Sequence, residues 1–398
     1  MQVPIIEEAS RLGMCSIVTD LNPRCVCALL ADKFFAIDIF DIDSHLLLAD
    51  QFINKNINIR GVLAAGIDAP ETMARLAKHM RLPGVKPEIA QLVHHKANFR
   101  KRLEELGYPV PKYASISREQ LHELPSIASL IGYPLIIKNT DSSGSRGTRI
   151  FREFNLKLMQ EAAQIAIKVS KSGTALIESC WEGSEHTVET LFDVHGRFHP
   201  CFITDRNFNK SDGYALETGL RHPSTLSKLL QSEMYSIAYS VAEDLGVTIG
   251  AAKFDFMVTP DGPRIIEMTV RLSGGYDCQY LVPLTTGKSV LRAAIQTAIG
   301  EDFDGSLLVD HLNHIGVTGS LWPPPGIITA ISGVEEARKL PGIKQIFFRA
   351  AVGDIVAPYV DCTRRICFII ATGTNEAVAR DNLRRAENTI QIQIKEEV

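Results

Sequence analysis

The sequence has no excess of positive charge. Its 398 residues include 42 lysines and arginines against 46 aspartates and glutamates, which gives a formal net charge of −4. Binding to nucleic acid or to an anionic membrane surface would require a basic field, so neither partner is expected. Small molecules and other proteins remain as candidate partners.

Long apolar runs and the common metal-binding motifs are also missing. No apolar run approaches the roughly 18 residues that a membrane span requires, and the N-terminus does not read as a signal peptide. The eight cysteines are scattered without a C-x-x-C pair, and the eleven histidines include no H-E-x-x-H motif. These absences favour a cytoplasmic protein with reduced thiols and argue against a zinc site.

The N-terminal region alternates short apolar segments with amphipathic ones, a pattern that predicts a doubly wound, Rossmann-like parallel sheet over residues 1–92. The chain opens on a helical pattern, so this domain is expected to lack its usual first strand. No G-x-G-x-x-G motif is present, so a dinucleotide site is not expected. The predicted strands are 15–20, 34–39 and 59–66, and the predicted helices are 43–55 and 69–80.

Two further regions complete a predicted α/β and α+β multidomain chain. Residues 93–305 mix strands and helices, and residues 306–398 form a small α+β module. In the central region the predicted strands are 134–138, 175–179, 186–193, 251–258 and 264–269, and the helices are 93–107, 155–171, 224–245 and 288–299. In the last module the predicted strands are 347–350 and 364–373, and the helix is 375–390.

A lysine ends one predicted strand and is followed by a loop rich in serine and glycine. Lys138 closes the apolar run, and "SSGSRG" occupies residues 142–147. Glycines allow backbone N–H groups to approach phosphate oxygens, and a lysine supplies a point charge, so the pattern suits an anionic ligand. A plain hairpin loop would show the same composition, and both interpretations stay open at this point.

Two carboxylates are predicted to face each other in a hairpin. "TPDGP" (259–263) contains an Asp-Gly turn signal; if it forms the loop, Val258 pairs with Arg264, and Asp255 lies opposite Glu267. Phe254, Phe256, Ile266 and Met268 would then face a core. Facing carboxylates repel unless a cation lies between them, and hard oxygen ligands favour Mg²⁺ or Mn²⁺. The alternative is an exposed face on which Lys253 and Arg271 neutralise the pair.

A third segment, "ALIESCWEGSEHTVETLFD" (175–193), places two glutamates around a short linker. Glu178 ends an apolar strand, Cys180 and Trp181 follow, and Glu185 opens the next strand. Free backbone groups in an extended linker can pair with the edge of a purine, and a carboxylate beyond it can bind ribose hydroxyls. Two solvated glutamates at a turn are the alternative.

In their order and spacing these segments resemble the ATP-grasp family of carboxylate–amine ligases over nearly the whole chain. The resemblance rests on Lys96 before a helix that ends in G-Y-P-V-P, and on Lys138 with its "SSGSRG" loop. It also rests on "IESCWEGSEHTVET", and on Asp255 followed twelve residues later by "EMTVRLSGG". "LETGLRHPS" (216–224) and the C-terminal module are most like the L-amino-acid ligase and carbamoyl-phosphate-synthase-like branch.

The resemblance implies a pre-ATP-grasp domain (1–92), an ATP-grasp domain (93–305) and a C-terminal module (306–398), with ATP as cofactor. The two lysines would bind phosphates under a mobile flap, the linker would meet adenine, and Glu185 would meet the ribose. The residues assigned to the nucleotide are Lys96, Lys138, Ser143, Gly144, Ser145, Gly147, Glu178, Cys180, Trp181 and Glu185.

The same resemblance implies a metal site and a substrate site. Mg²⁺ or Mn²⁺ would be bound by Asp255, Glu267 and Thr269. The substrate would be bound by Glu217, Arg271, Ser273 and Gly274. Arg271 and Lys138 would be catalytic. The sequence departs from the family pattern at Thr269, where asparagine is usual, at Asn139, where proline is usual, and at Leu220, where some amino-acid ligases have histidine.

The implied reaction joins a small-molecule carboxylate, such as an amino acid, to an amine through an acyl phosphate, with release of ADP and phosphate. Two alternatives stay open. One is an enzyme that forms carboxyphosphate, as in biotin carboxylases or carbamoyl-phosphate synthesis. The other is an ATP-binding protein without ligase activity. A homodimer is an assembly that the resemblance allows.

Overall fold

The N-terminal region of the computed structural model, which describes residues 1–210 and 212–396, contains mainly helices. Its two short parallel strands pair from Ile17↔Lys33 to Thr19↔Phe35. The predicted strand 59–66 is wrong: only Ala65 forms a bridge, to Leu272, and the Gln2 side chain bonds the backbone of Ala65. The elements are α1 (Val3–Arg11), β1 (Ile17–Thr19), α2 (Val26–Leu30), β2 (Lys33–Phe35), α3 (Ile42–Asn54), α4 (Pro70–His79) and α5 (Pro87–His94).

A four-stranded antiparallel sheet with helices packed on it follows. Its strand order is β3-β6-β4-β5, and its core is formed largely by Leu135, Ile137 and Ile177 from the sheet and Met159 from a helix. Asn155 caps that helix by accepting a hydrogen bond from the Leu158 N–H. The elements are α6 (Lys96–Glu105), β3 (Tyr113–Ile116), α7 (Leu124–Ile131), β4 (Leu135–Asn139), β5 (Arg149–Phe151), α8 (Leu156–Val169) and β6 (Ala175–Ser179).

Within the described residues the largest sheet has eight strands, in the order β11-β10-β7-β8-β9-β12-β16-β14, of which β12 (Ile315–Gly319), β16 (Cys367–Gly373) and β14 (Ile343–Phe348) come from the C-terminal region. Side chains alternate along its central strands. Phe254 and Phe256 pack against the helix Lys228–Asp244, whereas Ala251 and Leu191 pack against the helix Val290–Ala298. The elements of this region are β7 (Ser184–Phe192), β8 (Phe198–Asn209), β9 (Leu216–His222), α9 (Lys228–Asp244), β10 (Gly250–Thr259), β11 (Gly262–Thr269), α10 (Val282–Thr286) and α11 (Val290–Ala298).

The C-terminal strands extend this sheet, because β12 pairs with β9, at Gly316↔His222 and Val317↔Arg221. A separate three-stranded sheet has the order β15-β13-β17. The domain boundaries at 92/93 and 305/306 stay a prediction, and no helix among the described residues is long and apolar enough to cross a membrane. The remaining elements are β12 (Ile315–Gly319), β13 (Gly326–Ser332), α12 (Val334–Arg338), β14 (Ile343–Phe348), β15 (Ile355–Val356), β16 (Cys367–Gly373), α13 (Glu376–Thr389) and β17 (Gln391–Lys395).

The β10–β11 hairpin contains a bulge that the sequence did not reveal. Asp255 lies opposite Glu267, as predicted, but Val258 pairs with Pro263 and not with Arg264. The turn is shorter than predicted, and the unpaired residue Ile266 compensates for the difference.

The bulge also reverses the prediction for Ile266. Ile265 packs in the core, whereas Ile266 is half-buried and lines a cavity. The guanidinium group of Arg100 donates hydrogen bonds to the carbonyls of both isoleucines, which supports the irregular backbone.

Candidate active site

A cavity of about 310 Å³ is lined by residues of the four-stranded sheet, the eight-stranded sheet and the C-terminal region. Gly147 and Thr269 do not line it. A Cβ atom at Gly147 would lie 3.1 Å from the Cα of Ala166 on α8, and Thr269 lines a small adjoining pocket with Glu267 and Arg271. The predicted site residues that do line the cavity are Lys96, Lys138, Ser143, Gly144, Ser145, Glu178, Cys180, Trp181, Glu185, Glu217, Asp255, Glu267, Arg271, Ser273 and Gly274.

Lys138 belongs to a buried cluster of charges at the wall of this cavity. Its ammonium group pairs with Glu178, which also accepts a hydrogen bond of 2.6 Å from Arg100 Nε. Burial lowers the pKa of Lys138, and the charge of Glu178 opposes that shift only in part. Burial raises the pKa of Glu178, but Arg100 and Lys138 outweigh it, so that pKa is lowered. Glu178 is therefore buried and paired, which contradicts the alternative that it is a solvated glutamate at a turn.

Replacing Arg100 by Met is expected to lower the free energy of unfolding by about 3–5 kcal/mol, because the change leaves a buried carboxylate with one partner fewer. It also removes the hydrogen bonds to Ile265 and Ile266. Urea unfolding of both proteins measures the difference. The matched control is Arg102→Met on the same helix, whose ion pair with Glu105 is exposed. An equal effect of the two substitutions would contradict the prediction.

The linker after β6 is only partly free to bind a base. The N–H group of Cys180 donates to the carbonyl of Pro134 at 2.8 Å, so this group is not free, contrary to the prediction. Glu185 accepts a 2.6 Å hydrogen bond from Lys210 Nζ. Apolar contact surface is supplied by Met257 and Ile266, which also line the cavity. A planar ring with a polar rim would fit these surroundings.

The carboxylates of Asp255 and Glu267 have different surroundings. Asp255 contacts Lys253 Nζ at 2.5 Å and an Arg206 nitrogen at 3.0 Å. Burial raises its pKa, but these two cations outweigh the effect and lower the pKa to about 2. The Glu267 side chain has no hydrogen-bond or ion-pair partner in residues 1–210 and 212–396. The alternative, an exposed face on which Lys253 and Arg271 neutralise both carboxylates, holds only in part. Lys253 pairs with Asp255, but Asp255 is buried. No cation pairs with Glu267 among the described residues.

This pair suits a hard cation that is completed by a ligand. No group of three or more His, Cys, Asp or Glu side chains in the described chain could hold a metal ion alone. Mg²⁺, however, is commonly bound by one or two carboxylates together with substrate phosphates and water. Glu267 supplies an unpaired carboxylate, and Lys96 and Lys138 line the same cavity. The residues present therefore fit a magnesium–nucleotide complex.

Arg206, on β8, connects the carboxylate pair to Glu217. Its guanidinium group donates at 2.8 Å to Glu217 and contacts Asp255 at 3.0 Å. Arg365, from the segment before β16, binds Glu217 on the other side, at 3.3 Å from Oε1. Both carboxylate oxygens of Glu217 are thus engaged by arginine. The C-terminal region takes part in forming this wall of the cavity.

The serine- and glycine-rich loop contacts three other regions. Lys96 Nζ donates to the carbonyl of Ser142 at 2.6 Å, and the Cys362 N–H donates to the carbonyl of Gly144 at 3.1 Å. Asp68, in the loop before α4, accepts hydrogen bonds from Ser143 and Arg146. The loop is therefore held by the N-terminal region, by α6 and by the C-terminal region, which a plain hairpin would not require.

Nucleotide binding is expected to slow tryptic cleavage after Arg146 at least about tenfold. The loop residues bury little apolar surface and are held by a few polar contacts, so contacts with phosphates would add free energy that offsets the cost of ordering them. Limited proteolysis with and without a non-hydrolysable ATP analogue and Mg²⁺ measures the effect.

The Asp68→Asn variant is a useful comparison, because it weakens the contact to Arg146. We expect it to be cleaved faster than the wild type without nucleotide. Equal wild-type cleavage rates with and without the analogue would show that the loop is not a phosphate flap.

Arg271 is oriented by two backbone carbonyls. Its Nε donates to Ile67 O and one terminal nitrogen donates to Leu272 O, both at 2.9 Å. Ile67, directly after the segment predicted as the strand 59–66, thus orients a site residue. A close approach explains the glycine there: a Cβ atom on Gly66, whose φ is +63°, would lie 2.8 Å from the Cα of Gly274.

Several residues of the site were missed by sequence reasoning. Arg100 sits inside a helical pattern, and Arg206 is a charged residue in a buried strand, a signal that could have marked it. Cys362 lines the cavity, Arg365 contacts Glu217 and Asp68 contacts the loop. All three lie in distant segments and belong to no motif. Asp277, two residues after "RLSGG" (271–275), also lines the cavity and belongs to no recognised motif.

Two protein-family models match the chain, one in its central region and one near its C-terminus. The family model "Carbamoyl-phosphate synthase L chain, ATP binding domain" matches residues 95–305, just over half of the chain. The model "L-amino acid ligase C-terminal domain 2" matches residues 320–395. Human carnosine synthase 1 (Homo sapiens) is 22% identical over 314 residues, 74% of this chain. Because the match covers 38% of that protein, the chain spans about two fifths of this relative.

Two solved structures share the fold. The L-amino acid ligase from Bacillus licheniformis has a TM-score of 0.84 at 20% identity, over 98% of this chain and 95% of that chain. The biotin carboxylase domain of the 2-oxoglutarate carboxylase from Hydrogenobacter thermophilus, solved with MgADP and bicarbonate, has a TM-score of 0.73 at 20% identity. That match covers 99% of this chain and 88% of the other. At these identities the structural likeness establishes the fold.

Proposed function

The chain belongs to the family of carbamoyl-phosphate synthase L chain ATP-binding domains, which are ATP-grasp proteins, and from this premise we propose that it is an ATP-dependent carboxylate–amine ligase. One observation carries the proposal. A single cavity combines two lysines, a glycine-rich loop, a facing carboxylate pair and an arginine held by backbone carbonyls. Phosphoryl transfer to a small acid requires such cationic groups, a metal site and a phosphate-binding loop.

ATP would occupy the part of the cavity between the linker and the two lysines. Lys96 and Lys138 would contact phosphate oxygens, Cys180 and Trp181 would border the base, and Glu185 would bind the ribose. Lys138 would then exchange part of its pairing with Glu178 for the phosphates. Ser143, Gly144 and Ser145 of the loop would close over them and exclude water, which would otherwise hydrolyse an acyl phosphate.

Mg²⁺ would be held by Asp255 and Glu267, with Thr269 nearby, and when bound it would neutralise phosphate charge. Thr269 is buried beside Glu267 in the adjoining pocket. A hydroxyl is a poorer donor than the amide carbonyl that is usual at this position of the family. The two carboxylates are therefore expected to carry most of the metal affinity.

The reaction would proceed in two balanced steps. A carboxylate oxygen of the acid attacks the γ-phosphorus, the bond to the β-phosphate oxygen breaks, and ADP leaves. The amine nitrogen then attacks the carbonyl carbon of the acyl phosphate. The bond to phosphate breaks, one proton leaves the nitrogen, and an amide and phosphate are formed. Arg271 would stabilise the charge on the transferring group, and Glu217, Ser273 and Gly274 would border the acid.

The acid and the amine are proposed to be small molecules, with amino acids as the first class to test. The B. licheniformis protein, to which the chain is similar, is named an L-amino acid ligase, and the human relative is named a carnosine synthase. The eight cysteines form no disulfide in the structure, which supports the proposal of a reducing, cytoplasmic environment.

A screen of acid–amine pairs tests the proposal. The full chain is incubated with ATP and Mg²⁺, ADP and phosphate are quantified, and the amide is identified by mass spectrometry. ADP release that requires both an acid and an amine supports a ligase. Release that requires bicarbonate instead would replace it with a carboxyphosphate-forming enzyme. Nucleotide binding without turnover of any pair would indicate an ATP-binding protein.

A further inference from the structure

Two carboxylates of the cavity, those of Glu267 and Asp277, form no ion pair among the described residues. Six acidic side chains line the cavity, and four of them contact a lysine or an arginine: Glu178, Glu185, Glu217 and Asp255. Glu267, the fifth, has an explanation in the metal site. The sixth is Asp277, which is 2% exposed and whose Oδ1 has no hydrogen-bond partner among the described residues.

The position of Asp277 is fixed by the fold. It begins a π-helical turn, Asp277–Leu281, directly after Tyr276, whose φ of +64° lies in the left-handed region. Tyr276 is itself buried and stacks on Phe347 with ring centroids 4.3 Å apart. Because Asp277 is held in place and lines the cavity, an occupant of the cavity is positioned to supply the partner that Oδ1 lacks.

The chemistry of the surroundings restricts that partner. A metal ion would need further hard ligands, and no group of three candidate ligand side chains occurs in the described chain. Asp277 in its ionised form would repel a carboxylate of the ligand and attract a cation. A protonated amine satisfies both the missing hydrogen bond and the missing charge. Leu220, which also lines the cavity, offers apolar contact to the carbon atoms of such a ligand.

We propose that Asp277 binds the ammonium group of a small substrate of this enzyme. The inference deepens the proposed function and rests on it for the reaction, but the binding itself is independent of turnover. Burial, together with the charges of Glu217 and Glu189, raises the pKa of Asp277 well above its usual range. A cationic ligand would reverse that shift, so the empty site and the loaded site are expected to differ in protonation.

The ammonium group has two sources, the amino group of the acid that is activated or the acceptor amine. Both would be recognised by the same carboxylate. If the acid carries it, amino acids should be better substrates than the corresponding acids that lack the amino group. If the acceptor carries it, the acid should tolerate loss of its amino group, and a cationic acceptor should be preferred over a neutral one.

Equilibrium binding provides the first test. The protein, loaded with a non-hydrolysable ATP analogue and Mg²⁺, is titrated with ethylammonium chloride or with ethanol as the neutral counterpart, at constant ionic strength. We expect ethylammonium to bind the wild type at least about tenfold more tightly than ethanol, and Asp277→Asn to remove that preference. The control Asp261→Asn changes an exposed aspartate in the β10–β11 turn and should leave the preference intact.

The outcomes separate this inference from the proposed function. Equal affinities of the wild type for the two probes, or equal preferences of wild type and Asp277→Asn, would overturn the inference. If Asp277→Asn does not fold, the wild-type comparison alone decides. Ethylammonium binding that depends on Asp277, in a protein that turns over no acid–amine pair, would keep the site and remove the ligase.

Turnover identifies the source of the ammonium group. Glycine and alanine are compared with acetate and propionate, with hydroxylamine as an uncharged acceptor that traps acyl phosphates. A loss of at least about tenfold in the preference for the amino acids in Asp277→Asn assigns the group to the acid. A loss seen only with cationic acceptors assigns it to the amine. An unchanged pattern in both arms would contradict the proposal.

Discussion

Loss of Mg²⁺-dependent ATP binding is the expected result when Asp255 is replaced by Asn and Glu267 by Gln in the same protein. The two residues lie opposite each other across β10 and β11, and both line the cavity. Two amides cannot neutralise the charge of a divalent cation. We therefore expect turnover to fall by about a thousandfold or more, since charge stabilisation is the main contribution to phosphoryl transfer.

Titration of a fluorescent ATP analogue at increasing Mg²⁺ concentration measures this effect. Asp255→Asn also leaves Arg206 and Lys253 with one partner fewer, so some loss of stability is expected in addition. Asp193→Asn is the matched control, because Asp193 is buried, is bound by Arg197 and His199, and does not line the cavity. An unchanged metal dependence in the double variant would make the carboxylate pair structural only.

Long periodic segments were predicted well from the sequence. The predicted helices 155–171 and 375–390 correspond to Leu156–Val169 and Glu376–Thr389, and the strand 175–179 has the predicted bounds. In each helix, apolar side chains recur at helical spacing, and an asparagine caps the first turn. Local physical chemistry is sufficient for such elements, because their pattern does not depend on distant residues.

The segment 59–66 shows where local reasoning ends. Its composition is that of a buried strand, but strand formation requires a partner with free backbone groups. Gly66 N–H instead donates to Leu272 O, and the Gln2 side chain bonds Ala65. Within the segment, Ala64 and Ala65 are buried, and the other residues are half-buried or exposed. The pairing was set by a residue two hundred positions away, which no local pattern contains.

The carboxylate pair was predicted correctly for a reason that was only partly right. A loop over 259–263 was assumed, whereas the structure has a shorter turn and a bulge at Ile266. The two differences cancel at Asp255 and Glu267. Arg100, which bonds the carbonyls around the bulge, could not be connected with the hairpin from sequence, because its role depends on tertiary contact.

The resemblance identified residues but not their partners. Lys138 lines the cavity as expected, yet its pairing with Glu178 and the further link to Arg100 were not foreseen. The same holds for the loop, whose contacts to Asp68 and Cys362 come from regions far apart in the chain. A sequence motif identifies the side chains that a reaction needs. The charged residues that pair with those side chains come from distant parts of the chain, and no local pattern identifies them.

Replacing Arg271 by Ala is expected to lower kcat by about a hundredfold to a thousandfold and to change KM for ATP little. Its Nε and one terminal nitrogen are used by Ile67 O and Leu272 O, and the residue lines both the main cavity and the pocket beside Glu267. An arginine fixed in this way is oriented before the reaction begins. It therefore stabilises charge that develops on the transferring group more than charge already present on bound ATP.

Steady-state kinetics with the pair of substrates found in the screen separate kcat from KM. Arg271→Lys should restore only part of kcat, because an ammonium group supplies the charge but cannot bond two carbonyls and still present a planar edge to the substrate. Arg264→Ala is the matched control on β11: that side chain bonds the carbonyls of Asp261 and Pro263 beside the turn and does not line the cavity. A normal kcat in Arg271→Ala would remove this residue from catalysis, whereas a raised KM at constant kcat would limit it to binding.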